Sequence, residues 1–561
     1  MPSLVRAAFF RISEEQMTAD NRPDGGQAIV ELLRRNGVDR VFTVPGESFL
    51  PVLDALHDAP DIALVVCRQE GGASMMAEAY AKTTGRPGVC FVTRGPGSAN
   101  ALAGLHVAAQ DSTPLLVFVG QVPRALRERE AWQEVNVGAL FGSVAKWASD
   151  IQDASRLPEY LSRAFTTARS GRQGPVVLGL PEDLLYERVE PVELGPAAIN
   201  QGYPAPAALE RLQQLLAEAR RPLAIFGGSG WSPESRQKLQ AFAEAQGLPV
   251  ATSFRRQDRF DNGHPNYAGD AGLGMNPGLA AMIQDADLLI AVGTRLGDIT
   301  TRHYELVEAP QPRQRLVHIH PDPQEPGRVH LPDLALCASV ANFAEAAAGL
   351  PPPSNLSGER QEWLARARET RQAWQQPTEL PGPLQLGEIV AWLGQRLPAD
   401  AVISNGAGNY TLWVHRFYPY RGWGSQLAPT SGSMGYGLPA AIAAKLAQPA
   451  RPAVCFAGDG CFQMTCQELA TAVQYGANVI VVVVNNGSYG SIRMHQDKHY
   501  PGRRYGTDLV NPDMVALARA YGAGAARVER TEQFAEAFEQ ALAADRPFLI
   551  EVLIDPAILR P

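Results

Sequence analysis

The sequence is sparing with cysteine: six in 561 residues, at positions 67, 90, 337, 455, 461 and 466, and no two form a CxxC pair. That pattern excludes a disulfide framework and a thiolate zinc site, and it fits a reducing cytoplasm. Basic charge is also short. Fifty Lys and Arg stand against 58 Asp and Glu, a net charge of −8, so neither a nucleic acid nor an anionic membrane surface is expected as a partner. No window reaches the roughly 18 uninterrupted apolar residues of a membrane span. The N-terminal LVRAAFFRI is broken by Arg6 and Arg11 and lacks a small-residue cleavage site, so residues 1–24 read as a loose extension and not as a leader. Short internal repeats are absent too.

What is present is alternation. Strand-like runs (VDRVFTV, IALVVC, GVCFV, PLLVFVG, then PLAIFGG and ADLLIAVG, then AVISN, AVCFAGD and ANVIVVVVNN) are separated by helical patterns along most of the chain. Such alternation implies α/β architecture, with parallel sheets covered by helices on both faces. The length exceeds what one core can organise. Pro-rich breaks near 190–206 and 350–383 divide the chain into three expected doubly wound domains, at 25–190, 200–350 and 380–555.

The densest chemistry lies in GDGCFQMTCQELATAVQYGANVIVVVVNN, beginning at Gly458. Ala453–Ala457 reads as a strand, Gln463–Gln474 as a helix and Asn478–Val484 as a second strand. A crossover of this kind joins parallel strands, so both strands end at one sheet edge, where open α/β sheets bind ligands. Asp459 and Asn486 would then face each other with hard oxygens suited to Mg²⁺ or Ca²⁺, and a backbone carbonyl near Ser488 adds a third. Gly458 and Gly460 let the backbone approach an anion closely. Either motif alone is a common turn. Together, at the ends of successive apolar strands, they point to a metal-bound diphosphate.

This pair resembles the diphosphate-binding motif of thiamine-diphosphate-dependent enzymes, which begins GDG and closes with NN. The resemblance extends over nearly all of residues 25–555 and is nearest to the acetolactate synthase large subunit and 2-oxo acid decarboxylase group, in GPGSAN (95–100), GQVPR (120–124), WQE (132–134) and AKW (145–147). It implies a pyrimidine-binding first domain, a nucleotide-binding-like central domain and a diphosphate-binding last domain. It implies that thiamine diphosphate is held through Mg²⁺ by Asp459, Asn486 and Ser488, with Gly458, Gly460, Cys461, Asn409 and Tyr410 around the diphosphate. Glu70, in VVCRQEGGASMM, stands where the family places the glutamate that shares a proton with N1′ of the aminopyrimidine, a group that should be buried with a raised pKa. Met434, in SMGYGLPAAIAAKL, stands where a bulky residue bends the cofactor. The family's sites form between chains, so a homodimer or homotetramer is expected.

The sequence also departs from that pattern. Where an arginine holds the acceptor's carboxylate in acetolactate synthase, AVGTRLGDITTRHY has Ile299, with Arg302 three residues on, and His495 replaces a tryptophan of the acceptor pocket. VPGESF places Glu47 where acetolactate synthase has glycine, facing the donor substrate, with Arg94 of FVTRGPG near enough to offset its charge. These departures favour non-oxidative decarboxylation of a 2-oxo acid, one with a basic side chain such as 2-ketoarginine, releasing an aldehyde. The alternative is an acetolactate-synthase-like carboligase, and a non-catalytic thiamine-diphosphate-binding regulator is the remaining reading. Gly227, Gly228, Gly293 and Arg295 resemble FAD contacts of the central domain, but His320 and Ala338-Ser339 replace other contacts, leaving FAD open.

Overall fold

The computed structural model describes residues 21–191 and 194–561. Of the expected extension over 1–24, residues 1–20 lie outside the described residues, and its end is not loose. The Pro23 carbonyl accepts from Val189 N at 2.8 Å and Asp24 forms an antiparallel bridge with Arg188. Asp24 then caps the helix Gly25–Arg35 in a reciprocal capping box with Gln27, so the cap anchors what the composition left free.

Three parallel six-stranded sheets follow one another along the chain. The first holds β1 (Arg40–Thr43), β2 (Ala63–Val66), β3 (Gly88–Val92), β4 (Leu115–Gln121), β5 (Trp147–Asp150) and β6 (Pro175–Pro181), in the order β2-β1-β3-β4-β6-β5. The second holds β7 (Pro222–Phe226), β8 (Val250–Ser253), β9 (Tyr267–Ala271), β10 (Leu288–Val292), β11 (Arg315–His320) and β12 (Leu334–Cys337), in the order β12-β11-β10-β7-β8-β9. The third holds β13 (Val402–Asn405), β14 (Gln426–Leu427), β15 (Ala453–Gly458), β16 (Ile480–Asn485), β17 (Gly524–Val528) and β18 (Phe548–Leu553), in the order β14-β13-β15-β16-β18-β17. Renumbered from its own first strand, the third sheet repeats the order of the first. The second has instead the order of dinucleotide-binding folds, with its switch point between β7 and β10.

The central strands β4, β10 and β15 are apolar and buried along almost their whole length, as sheets covered on both faces require. The first and third sheets share one core. The helix Glu70–Thr84 packs on the helix Gly437–Ala447, and Phe42, Val92 and Val117 belong to the same buried cluster as Ala441, Val481 and Leu549. Small residues also let the helix Gly95–Asp111 lie close against Glu70–Thr84: a Cβ on Gly104 would lie 2.2 Å from Ser74 Oγ. The second sheet keeps separate clusters.

The expected helix Gln463–Gln474 is two helices, Asp459–Gln463 and Glu468–Gln474. The first starts directly off β15, and the break falls where Thr465 Oγ1 donates to the Gly435 carbonyl at 2.7 Å, tying the turn to a neighbouring loop. The following strand starts at Ile480, two residues later than expected, because Asn478 and Val479 belong to the tight turn closed by Ala477.

Candidate cofactor site

Gly458 of β15 pairs with Val484 of β16, so Asp459 and Asn486 leave the third sheet at the same carboxyl edge. They open onto a cavity of about 250 Å³. Asn409, Tyr410, Met434, Gly458, Asp459, Gly460, Cys461, Asn486 and Ser488, all named from the sequence, line this one cavity. The glycines are needed for space: a Cβ on Gly460 would sit 2.5 Å from the Tyr489 ring.

Asp459 is 2% exposed. Its Oδ1 accepts from Gly460 N at 3.0 Å and its Oδ2 from Asn511 Nδ2 at 2.7 Å. Burial raises its carboxyl above the usual range and the hydrogen bonds offset part of that; among the described residues no cationic side chain forms an ion pair with it. A buried carboxylate with no counter-charge is costly unless a cation joins it. Beside it, Asn486 Oδ1 accepts from Ser488 N at 3.1 Å. The Ser488 hydroxyl is buried without a partner, and its carbonyl accepts from Gly490 N at 2.9 Å. Among the described residues no group of three His, Cys, Asp or Glu side chains could hold a metal. One acid, one amide and a serine oxygen nevertheless make a hard-oxygen set of the kind Mg²⁺ accepts, its other positions going to phosphate or water. The residues present fit a Mg²⁺-bound diphosphate.

The paired asparagines divide the labour. Asn485 faces the protein, its Nδ2 donating to Glu551 at 2.7 Å and its Oδ1 accepting from Asn511 at 2.9 Å, while Asn486 faces the cavity. Asn511 thus bridges Asp459 and Asn485 across a long stretch of chain, and no motif announced it. The C-terminal segment is another such contributor: Ile554, Ile558 and Leu559 line the cavity, and the Leu559 carbonyl accepts from Asn409 Nδ2 at 2.7 Å. Tyr410 presents its ring and turns its hydroxyl inward, where Gly406 N donates to it at 3.0 Å and Cys461 Sγ lies 3.4 Å away. Burial holds that phenol well above its usual pKa, so it stays neutral. Met434 is half-buried against the third sheet's core and forms an apolar wall.

Glu70 does not line this cavity. It begins the helix Glu70–Thr84 at the carboxyl edge of the first sheet, capped by Gln69, whose side chain accepts from Gly72 N. Its Oε2 accepts from Asn100 at 2.9 Å. Within one chain Glu70 is half-buried, because the edge it occupies is open there. Glu47 follows β1 on the same edge. It does not cap the next helix; its Oε1 accepts from Arg94 Nη1 at 3.1 Å, and Arg94 Nη2 donates to Glu182 at 2.6 Å.

The second sheet has its own crevice, about 110 Å³, at the switch point between β7 and β10. Gly228 (φ 72°) and Gly293 (φ 71°) form a tight backbone cradle there, since a Cβ on Gly228 would lie 1.8 Å from the Gly293 carbonyl oxygen. Arg172, Arg256 and Arg295 line it, with Ile299 and His320. The cradle suits a nucleotide. The polar set does not suit the ribose of a flavin dinucleotide: His320 is buried, its imidazole held neutral by desolvation with a pKa of about 4, and its Nδ1 already accepts from Asp322 N at 3.1 Å. Ser339 is spent capping the helix Val340–Ala348.

Three comparisons with known domains cover most of the chain: the thiamine pyrophosphate enzyme N-terminal TPP binding domain over residues 23–140, the central domain over 209–347 and the C-terminal TPP binding domain over 406–552. Among curated relatives, the acetolactate synthase large subunit of Parasynechococcus marenigrum (strain WH8102) is 33% identical over 544 residues, 94% of this chain and 87% of the relative. That of Lactococcus lactis subsp. lactis is 32% identical over 94% of this chain and 92% of the relative. The acetolactate synthase isozyme 2 large subunit of Escherichia coli K12 is 31% identical over 95% of this chain and 96% of the relative. With three sheets in the matching places and the GDG and NN ends meeting at one cavity, the chain belongs to the thiamine pyrophosphate enzyme family.

Proposed function

We propose that the protein uses thiamine diphosphate with Mg²⁺ to decarboxylate a 2-oxo acid and to join the acyl unit that remains to a carbonyl acceptor. The observation that carries this reading is Asp459, a buried acid without a counter-charge at a cavity that also gathers Asn486 and Ser488. The names of the relatives favour carboligation as the second half-reaction. When bound, the cofactor supplies a carbon that adds to the substrate carbonyl and an electron sink for the pair left by CO₂. The protein's part is holding and shielding. Asp459, Asn486 and Ser488 hold the metal and through it the diphosphate; Met434 and the C-terminal Ile554 and Ile558 keep water from the apolar side of the cavity. Glu70 is the group to hold a proton at the pyrimidine ring nitrogen. Among the described residues the cavity is lined only from Ala407 onward, which supports reading that carboxyl as the contribution of a second copy, so that the active unit is at least a dimer.

Aldehyde release remains as a second reading because Ile299, apolar, stands where the resemblance expects an arginine clamp for an acceptor's carboxylate. Incubation with pyruvate tests both readings. Acetolactate with CO₂ is the expected product; acetaldehyde with CO₂ assigns the decarboxylase instead. Retention of cofactor with no CO₂ from any 2-oxo acid overturns both.

A further inference from the structure

Beside the core shared by the first and third sheets stands a buried acid that the chemistry above does not use. Glu468 opens the helix Glu468–Gln474, on the same crossover as Asp459, and is 0% exposed. Its Oε1 accepts from Arg68 N at 3.1 Å and from Gln69 N at 3.1 Å. Its Oε2 accepts from Arg68 N at 3.3 Å and from the Thr471 hydroxyl at 2.6 Å. The two amides come directly before Glu70. Gly72, just after Glu70, leaves room for the carboxylate: a Cβ there would lie 2.4 Å from Glu468 Oε1.

The same helix holds the rest of the approach to Glu70. The hydroxyl of Tyr475, at its C-terminal end, accepts from Val66 N at 2.7 Å, and Gln474 Oε1 accepts from Arg68 Nη2 at 2.6 Å. On the far side of Glu70, Gln69 Oε1 accepts from Gly72 N at 3.0 Å, and Asn100 donates to Glu70 Oε2 at 2.9 Å. Burying a carboxylate is costly, and apolar packing already joins the two sheets. Hydrogen bonds to successive backbone amides add little buried area but fix direction: they set where the helix Glu70–Thr84 begins and how its first side chain leaves it. The carboxylate also meets the positive end of that helix, so its reach and its charge are separate candidate roles.

We propose that Glu468 is the positioning residue for Glu70 and acts by reach, holding Arg68 N and Gln69 N so that the Glu70 carboxyl is presented in one place at the sheet edge. This rests on the reading above, in which Glu70 serves the cavity of a second copy. One crossover then works for two sites: Asp459 holds metal in its own cavity, and Glu468 aims the carboxyl given to the other.

Two variants separate reach from charge. Glu468→Asp keeps the charge and withdraws it by one methylene from the two amides. Glu468→Gln loses the charge but keeps an oxygen at the Oε1 position, and the Thr471 hydroxyl can turn to accept from the new amide. In the unloaded protein, hydrogen exchange at Arg68 N and Gln69 N should quicken about tenfold or more in Glu468→Asp and less in Glu468→Gln. With thiamine diphosphate and Mg²⁺ bound, deuterium exchange at the thiazolium C2, read per bound cofactor, should slow about tenfold or more in Glu468→Asp and about threefold at most in Glu468→Gln, the scale of a small misplacement. Calorimetry should find cofactor affinity within about threefold of the parent's in both, since Asp459, Asn486 and Ser488 are untouched. Tyr475→Phe removes one hydroxyl and no carboxylate, guards against a folding defect, and should slow C2 exchange about twofold to threefold. Glu468→Gln as damaging as Glu468→Asp would overturn the role by reach. So would cofactor affinity lost in Glu468→Asp while exchange per bound cofactor holds, the mark of a merely structural acid. If the loaded parent exchanges C2 no faster than free cofactor, the functional reading fails and this inference with it; if it does so and Glu468→Asp and Tyr475→Phe match it, the positioning role fails alone.

Discussion

The cavity of the third sheet and the crevice of the second are both cradles at the carboxyl edge of a parallel sheet, and they differ in how their charges are balanced. In the third sheet, Asp459 is buried with amides for partners and no cation. In the second, each lining arginine is already met by its own chain: Arg172 by Glu325 at 3.0 Å, Arg256 by Asp111 at 3.4 Å, and Arg295 by the Gln110 carbonyl at 2.7 Å. An unbalanced buried charge is stable only with an external partner, whereas a balanced one is internal structure. The first cavity is therefore built around something it must bind. The second, with its arginines tied to their own chain, serves also as a joint between sheets beside its nucleotide-shaped cradle.

The sharpest way to break that contrast is Asp459→Ala. Removing the one acid that lines the cavity among the described residues should lower Mg²⁺-dependent thiamine diphosphate affinity by about 100-fold or more, with activity lost in step, because metal and diphosphate each lose their partner. Calorimetric titration with and without Mg²⁺ measures it. Binding as tight as the parent's would show that the unbalanced carboxylate serves something else.

Asp111→Ala probes the other side. Asp111 is 2% exposed and receives Lys82, Arg256, Thr430 N at 2.8 Å and the Thr430 hydroxyl. Lys82 also reaches Glu78 at 2.9 Å, and Tyr436 donates to Glu78 at 2.6 Å, so the network ties all three sheets together. Its removal leaves two buried cations undercompensated and should cost about 3–5 kcal/mol of stability, read as a shifted denaturant midpoint. Cofactor affinity of the protein that remains folded should change far less than with Asp459→Ala. If the order is reversed, the joint and the binding site have been exchanged.

The balanced crevice should also show in pH. Desolvation lowers the His320 imidazole to about 4, and its neutral form is the folded one. Unfolded, it takes up a proton below about 6.5, so its contribution is present above that pH and is lost as pH falls towards 4. The buried Asp111, held at about 2 by Lys82 and Arg256 against its burial, adds a loss only below about pH 4. Thermal melts between pH 7.5 and 4.5 should fall less steeply for His320→Gln than for the parent. Parallel curves would place the imidazole in water.

The same contrast governs which features are legible in the sequence. Strands and the GDG and NN ends were legible because a buried parallel strand must be apolar along its length and stop abruptly where ligand chemistry begins, as β15 and β16 do. The three expected sheets follow for the same reason. Asn511, Glu182 and the Leu559 carbonyl were not legible: each reaches its partner through tertiary contact, and a lone Asn or Glu in a loop carries no periodic signal. The break at Met464–Gln467 was hidden likewise, since it depends on the Gly435 carbonyl reaching Thr465. Glu47 was found from its turn, but its pairing with Arg94 and Glu182 changes its meaning. It is one corner of a shared ion cluster and not a lone charge.

The smallest expected effect concerns Ile299, where the two cradles come closest to sharing work. Ile299 lines the second crevice together with Asp111 and Thr430, and Thr430 lies four residues before Met434 in the wall of the other cavity. An isoleucine there offers no donor to an anion, whereas an arginine presents a planar pair of N–H groups matched to a carboxylate. The arginines around it are held by their own chain, Arg172 and Arg256 by carboxylates and Arg295 by the Gln110 carbonyl, and Ile299 adds no cation of its own. Ile299→Arg should therefore raise acetolactate relative to acetaldehyde from pyruvate by a few fold, about 1 kcal/mol for one exposed charged contact, while CO₂ release and cofactor affinity stay near the parent's. A fixed product ratio would separate the crevice from the acceptor altogether and leave it purely as the joint between the sheets.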